Sequence, residues 1–554
     1  MYKSYYDHML SFSPEEIFEG LLGYGMFSDN LPPFLQSVDF YNWTLSQHDS
    51  LFVAKEETIP ERYENIRSIN IPRLISIPHP IAYRNLCNCL QLNWSSLLNH
   101  FEINTADNTW KVSRIHIRKV KEYKKIFTLS DYDTPKIVIK EIEKDNLFDM
   151  NFSNYKEDDN PILEFKIGSR FQVHADISNF FGSIYTHSLT WAIRGKSKAK
   201  SKRNGFWDNK LDTLVMNTNN GETHGILIGS HAYNLISEII LVVIDNTLIN
   251  KGYKFIRHID DYSCLTRSFE EAESFLTTLS NELRKYGLNL NSKKIFINEL
   301  PSTTDKDWVI KIFKHPASSS QYLNYLDMVS YLDFLIILLK TNDNNTAILK
   351  YGIKIITSKK SSKNAIIYLT KTLHHLVLLY PYLISIFEEQ IFNKYNIDKN
   401  TIKEISEDIL NQGTVRYNYE LISYAIYFAL KYNFSFKEST PLIDKIGSLD
   451  DSISLLLAYL YDKKNADLGS NIVHQYEQIA YFLYNQKEND CWLFCYEVLP
   501  KNMLSNYWIK MKKDDISFLK SSFNNKGKKP IPRPTPETHP HPRFSRPTSQ
   551  LSPF

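Results

Sequence analysis

Four Asp-Asp pairs occur in this 554-residue chain, and Asp260-Asp261 differs from the rest by standing between two apolar, β-prone runs, Tyr253-Lys-Phe-Ile-Arg-His-Ile259 and Tyr262-Ser-Cys-Leu-Thr266. Asp158-Asp159, Asp450-Asp451 and Asp514-Asp515 lie among lysines, glutamates or serines and read as solvated loops or helix starts. A third acid, Asp176, ends another short apolar run, Phe171-Gln-Val-His-Ala175, ahead of the turn-like Ile177-Ser-Asn-Phe-Phe-Gly-Ser-Ile184. Two strands can therefore bring three carboxylates together. Such a set suits a pair of hard divalent cations, Mg²⁺ above all, held roughly 3.5–4 Å apart as nucleotidyl transfer requires. The same residues also admit a plainer use, Asp176 as a helix N-cap and Asp260 and Asp261 as turn residues.

The elements that must position these acids follow in order. Between the two acidic strands lies Thr223-His-Gly-Ile-Leu-Ile-Gly-Ser-His231, a glycine-marked loop feeding a long helix that runs past Ile240. After the hairpin comes another helix, then Tyr286-Gly-Leu-Asn-Leu-Asn-Ser-Lys-Lys-Ile295.

In that order the segments resemble motifs A, B, C and D of reverse transcriptases. More closely, Asp176-Ile-Ser-Asn-Phe-Phe-Gly-Ser-Ile-Tyr-Thr-His-Ser-Leu-Thr-Trp-Ala192, followed by Gly195-Lys-Ser-Lys-Ala-Lys200, is similar to the bacterial abortive-infection (Abi) and defence-associated reverse transcriptases. The likeness runs from about residue 67 to residue 301. It implies that Asp176, Asp260 and Asp261 are metal ligands and catalytic, with Ile177 beside them at metal and substrate. It implies that Phe181 closes over the sugar and selects deoxynucleotides; the plainer alternative is that Phe180 or Phe181 merely packs under the palm. Arg73, in Ile71-Pro-Arg-Leu-Ile-Ser-Ile-Pro78, is the residue placed to grip the triphosphate, for which a planar guanidinium is suited; an ordinary surface arginine is the alternative. Gly229 would border the nascent base pair, and Lys293, with Lys294 as its neighbour, would be the general acid toward pyrophosphate. The loop reads Gly225-Ile-Leu-Ile-Gly229 in place of Gly-x-Pro-x-Gly, and His258-Ile259 precedes the acidic turn in place of an aromatic and a small residue. Both departures bear on template copying and leave the acids intact.

The implied activity is that of an antiphage-defence DNA polymerase, with or without template, that starts from a 3′-hydroxyl or a protein hydroxyl. Its partners would be deoxynucleotide triphosphates, a DNA product that can be covalently attached, and further copies of the chain. A templated reverse transcriptase using a partner non-coding RNA and a non-catalytic nucleic-acid-binding scaffold are the alternatives. With 35 tyrosines, no priming residue stands out.

Charge is unevenly spread about a net +3. The densest basic run, Arg194 to Arg203, offers Lys196, Lys198, Lys200, Lys202 and Arg203 to phosphates, or is a solvated loop. Trp110 to Ile126 alternates basic and apolar residues and reads as a channel-lining strand or a fingers insertion. No apolar run is read as reaching the roughly 20 residues a membrane span needs; Phe334-Leu-Ile-Ile-Leu-Leu339 reads as core, and the first residues lack a signal-peptide core. Five cysteines with neither zinc nor disulfide spacing point to a reducing cytoplasm.

Past residue 301 helical periods take over, at Tyr322–Leu339, Ala365–Phe392, Ile402–Leu410, Tyr417–Leu430 and Ile453–Tyr461. The expected fold class is thus α+β: an N-terminal extension (1–66), a reverse-transcriptase-like fingers-palm domain (67–310), an all-α HEAT-like helical-repeat domain (311–523) in place of a thumb, and a Pro-rich tail (524–554) too polar to bury a core. The helical half could grip product, RNA or another subunit, or serve structure alone.

Overall fold

Most residues of the two strands flanking Asp260 are buried, and the chain builds their sheet from four segments. The computed structural model describes residues 4–52, 57–66, 72–114, 161–202, 204–302, 306–438, 440–448, 450–465, 471–486 and 489–524, with the short pieces 117–119, 127–129, 136–138 and 148–149. Arg203, most of the basic stretch Trp110 to Ile126, and the tail from residue 525 lie outside them.

Strands β1 (Glu61–Ile66) and β2 (Pro72–Ile77) form an antiparallel pair, Asn65 opposite Arg73. The central sheet comprises β3 (Phe171–Asp176), β4 (Lys254–His258), β5 (Asp261–Thr266) and β6 (Phe296–Glu299) in the order β6-β3-β5-β4, all antiparallel. Helices α1 (His231–Asn250) and α2 (Phe269–Lys285) intervene in the chain. Side chains of β4 and β5 reach Asp245 of α1, so that helix lies beneath the hairpin. By length and composition α1 could cross a membrane, which the sequence reading overlooked, yet 72% of its apolar window is buried within the protein.

Beyond the sheet the described chain is helical except for a two-residue parallel pair, Tyr322–Leu323 with Lys360–Ser361. The expected helix Ala365–Phe392 is broken: an α-helix covers Lys363–Leu379, and after Tyr380 the chain continues as a 3₁₀ turn (Pro381–Ile386) and a π segment (Glu388–Phe392). Pro381 has no N–H to give to the helix ladder. Helices Lys399–Arg416 and Tyr419–Tyr432 pack so closely that a Cβ on Gly413 would fall 2.8 Å from Ile422 Cγ1. Ala347–Thr357, unmarked in the sequence reading, is a further helix.

Packing joins the first helices of the chain to the last. One continuous apolar core runs from Tyr5 to Leu519. The Gln36 amide donates to the Phe518 carbonyl (2.7 Å), Lys520 N–H returns to Phe34 (2.8 Å), and Trp43 Nε1 reaches Asp514 (2.8 Å). Two buried acids, Glu61 on β1 and Glu420 on the helix Tyr419–Tyr432, tie the β1-β2 hairpin to the helical side. Glu61 accepts from Ser452 Oγ (2.5 Å) and Leu493 N–H (2.9 Å), and Glu420 accepts from Asn65 Nδ2 (2.8 Å) and Ile66 N–H (2.7 Å). Burial above all pushes both carboxyls up to about 8, so each is a protonated hydrogen-bonding group at neutral pH.

Candidate metal centre

Asp176 is the last residue of β3 and pairs in register with Asp261, the first of β5; Asp260 occupies the turn between β4 and β5. Strand alternation and a tight turn thus deliver three carboxylates to one sheet end, with one oxygen from each lying within 4.8 Å of the others. Asp176 is buried, Asp260 half-buried and Asp261 exposed. The backbone ties the loops together: Ile177 N–H donates to the Asp260 carbonyl (3.1 Å) and Asn291 N–H to that of Asp176 (2.8 Å). Asn291 Nδ2 (3.1 Å) and Lys294 Nζ (2.7 Å) then donate to the two Asp176 carboxylate oxygens.

The three carboxylates repel one another, and Lys294 offsets part of that repulsion. Burial, then the Asp176 charge, raises the Asp260 carboxyl, against the pull of Lys294 and Arg73. Burial first, then Asp176 and Asp260, raises Asp261 to about 6. An all-carboxylate cluster of mutually repelling acids fits Mg²⁺, a hard ion that keeps water and phosphate in its remaining positions. His258, opposite Asp261, is pushed down to about 4 by burial and then by Arg114 and Arg257, and adds no charge at neutral pH.

Beneath the turn lies a charged cluster that sequence reasoning missed. Arg257 on β4 is fully buried; its guanidinium contacts Glu238 (2.8 and 2.9 Å) and Asp245 (2.7, 2.9 and 3.1 Å), both on α1, and donates to the Ile259 carbonyl (2.8 Å). The Tyr262 hydroxyl donates to Asp245 at 3.1 Å. Ile259 has φ +55°, an unfavourable state for a β-branched residue, one position before Asp260. The signal was present: Glu238 and Asp245 stand seven residues apart on one face of an apolar helix, where unpaired acids are costly.

No protein-family model and no curated protein matches the chain. Among solved structures it is similar to the structure of apo telomerase from Candida tropicalis, at 12% identity, over 55% of this chain and 54% of that chain, with a TM-score of 0.22. The chain spans about half the length of that telomerase chain. So slight a likeness defines neither fold nor chemistry.

The remaining expected residues fall as follows. Arg73, half-buried on β2, is close enough for its charge to lower the Asp260 carboxyl. Phe180 and Phe181 are both buried, 2% and 8% exposed, and the Phe181 carbonyl accepts from Ile226 N–H (2.9 Å). Gly229 has φ +132°, and a Cβ there would lie 2.9 Å from Ile75 Cγ2; Ser76 N–H donates to the neighbouring Ile228 carbonyl (2.9 Å). The 225–229 loop is therefore wedged between the hairpin and the Phe181 segment. Of the two adjacent lysines, the structure brings Lys294 to the acids, whereas the backbone N–H of Lys293 bonds Asn291 Oδ1 and its side chain is exposed. Lys196, Lys198, Lys200 and Lys202 are exposed on and beside a short helix (Lys196–Ser201), while Arg194 from the same run is paired with Asp208 (2.6 Å).

Proposed function

We propose that this chain is a Mg²⁺-dependent nucleotidyltransferase that adds deoxynucleotides from triphosphates to a 3′-hydroxyl or a protein hydroxyl. The observation that carries the reading is the triad itself, three carboxylates from paired strand ends with a lysine bonded to one of them. When bound there, divalent cations supply charge neutralisation of the triphosphate and activation of the attacking hydroxyl. Asp176, Asp260 and Asp261 would hold them, with the backbone at Ile177 alongside. Arg73 binds triphosphate from the β2 side, and Phe181 closes off the space of a 2′-hydroxyl. We assign to Lys294, rather than Lys293, the delivery of a proton to the departing pyrophosphate.

In this reading the N-terminal half is a reverse-transcriptase-like fingers and palm, and the HEAT-like helical half stands in place of a thumb. The role in phage defence rests on the motif resemblance. Incubation of purified protein with each labelled deoxynucleotide triphosphate and Mg²⁺, without template, tests the activity. A ladder lost in Asp260→Asn supports it; no incorporation with or without added RNA removes it. Unaltered phage protection by Asp260→Asn would remove the link between synthesis and defence.

A further inference from the structure

The segment after Phe181 and the glycine loop are laced together by Gly225 N–H to the Ile184 carbonyl and Thr186 N–H to that of Thr223 (both 2.9 Å), with Tyr185 and His224 facing one another as a bridge pair. Cross-strand partners put their side chains on one side, and the two rings lie 4.9 Å apart at 37°. Tyr185 also meets Trp191 at 5.5 Å. The Trp191 ring is capped by Lys196 Nζ at 4.0 Å, on the helix that carries exposed Lys198 and Lys200. Beneath the rings, His187 packs edge-on against Tyr185 at 4.8 Å and its Nδ1 is held by the Asp212 carboxylate at 2.5 Å. Most large aromatics here are core, yet Tyr185 and Trp191 are half-exposed and His224 is exposed. A wet row of rings continued by exposed lysines is the composition that holds unpaired bases and their phosphates, although Lys196 Nζ also donates to the Lys285 carbonyl at 3.3 Å.

We propose that Tyr185, His224 and Trp191, continued by Lys196, Lys198 and Lys200, form a stacking track for single-stranded DNA. The choice of DNA over RNA rests on the deoxynucleotide polymerase reading above, since the track begins four residues after Phe181 and would receive the strand made there. The phosphates are met by lysines and the bases by rings, so binding should be indifferent to sequence and weakened by salt.

The test is fluorescence anisotropy of labelled oligo(dT) on full-length protein carrying Asp260→Asn, so that binding is read apart from synthesis. Tyr185→Ala or Trp191→Ala should weaken binding about five- to a hundredfold with the salt dependence kept, and Tyr185→Phe and Trp191→Phe should restore it. Lys198→Gln with Lys200→Gln should instead lower the salt slope by about 0.7 per lysine. Ultraviolet cross-linking of a halogenated oligonucleotide to otherwise unaltered protein should label peptides containing Tyr185 or Trp191, a readout that needs no ring substitution. Folded alanine variants that bind like the parent, cross-links elsewhere, or duplex binding as tight as single strands would overturn the track. Tighter binding of the matching RNA would overturn its assignment to DNA. Intact oligo(dT) binding together with no nucleotide incorporation by the unsubstituted protein would sink the proposed reaction and leave the track standing.

Discussion

The Arg257 guanidinium donates to the carbonyl of Ile259, two residues on, from a position fully closed to solvent. One buried cation thereby fixes the backbone that presents Asp260 and Asp261, and it is fixed in turn by Glu238 and Asp245. Removing it leaves two acids buried without their partner and frees a turn that holds Ile259 at an unfavourable φ. Arg257→Gln should therefore cost about 3–5 kcal/mol in denaturant unfolding, and Arg257→Lys less, since it keeps the charge but loses the fork. Where Arg257→Lys stays folded, its Mg²⁺ requirement in the nucleotide assay should rise, because the ligands are less well held.

Lys294 and Lys293 should separate cleanly. Lys294→Ala should lower kcat about a hundredfold, the usual scale of a lost general acid, while Lys293→Ala should change it little. Equal losses in both variants would return the role to the turn as a whole.

Asp261 carries a raised carboxyl, at about 6 against an ordinary value near 4. The folded state thus binds this proton more tightly than the unfolded chain, so the stabilisation is complete below about pH 4 and is lost as pH rises through 6. In metal-free protein at pH 8, Asp261→Asn should raise stability by about 1 kcal/mol after discounting for solvent screening, and should do nothing at pH 4. Calorimetry at the two pH values checks this. Mg²⁺ should stabilise the parent at pH 8 and lose that effect below pH 6, where protons compete for the same oxygens.

The β1-β2 hairpin should loosen in alkali. Glu61 and Glu420, both raised to about 8, bond the hairpin and the helical half together as neutral groups, a stabilisation complete below about pH 4.5 and lost as pH rises through 8. Melting temperature should fall between about pH 5 and 8.5 and level off above it, and Glu61→Gln with Glu420→Gln should flatten the fall.

The acidic strands were legible because period-2 alternation and a tight turn are local signals, and Asp176, Asp260 and Asp261 meet as that pattern requires. Spacing could not choose between Lys293 and Lys294, since in a 3₁₀ turn (Ser292–Lys294) adjacent side chains diverge and only the packed sheet decides which faces in. Apolar periodicity continued through Pro381 and concealed a helix break. Two acids on one face of an apolar helix signal a buried cation, but Arg257 lies 12 and 19 residues from them and nothing in the spacing singles it out. The bonds between residues 34–43 and 514–520 were out of reach for the same reason.

Those last bonds set a schedule for the protein's birth. Gln36 meets its partner 481 or more residues later, and Glu61 its own 432 later. At ribosomal speeds of about 5–20 residues per second, the early helices and the hairpin that carries Arg73 wait roughly half a minute to a minute and a half for the segments that complete them. Nascent chains, and fragments cut short before about residue 490, would therefore carry the acids without a finished frame. A polymerase of this design would stay silent on the ribosome and begin work only once its far helices have closed over its beginning.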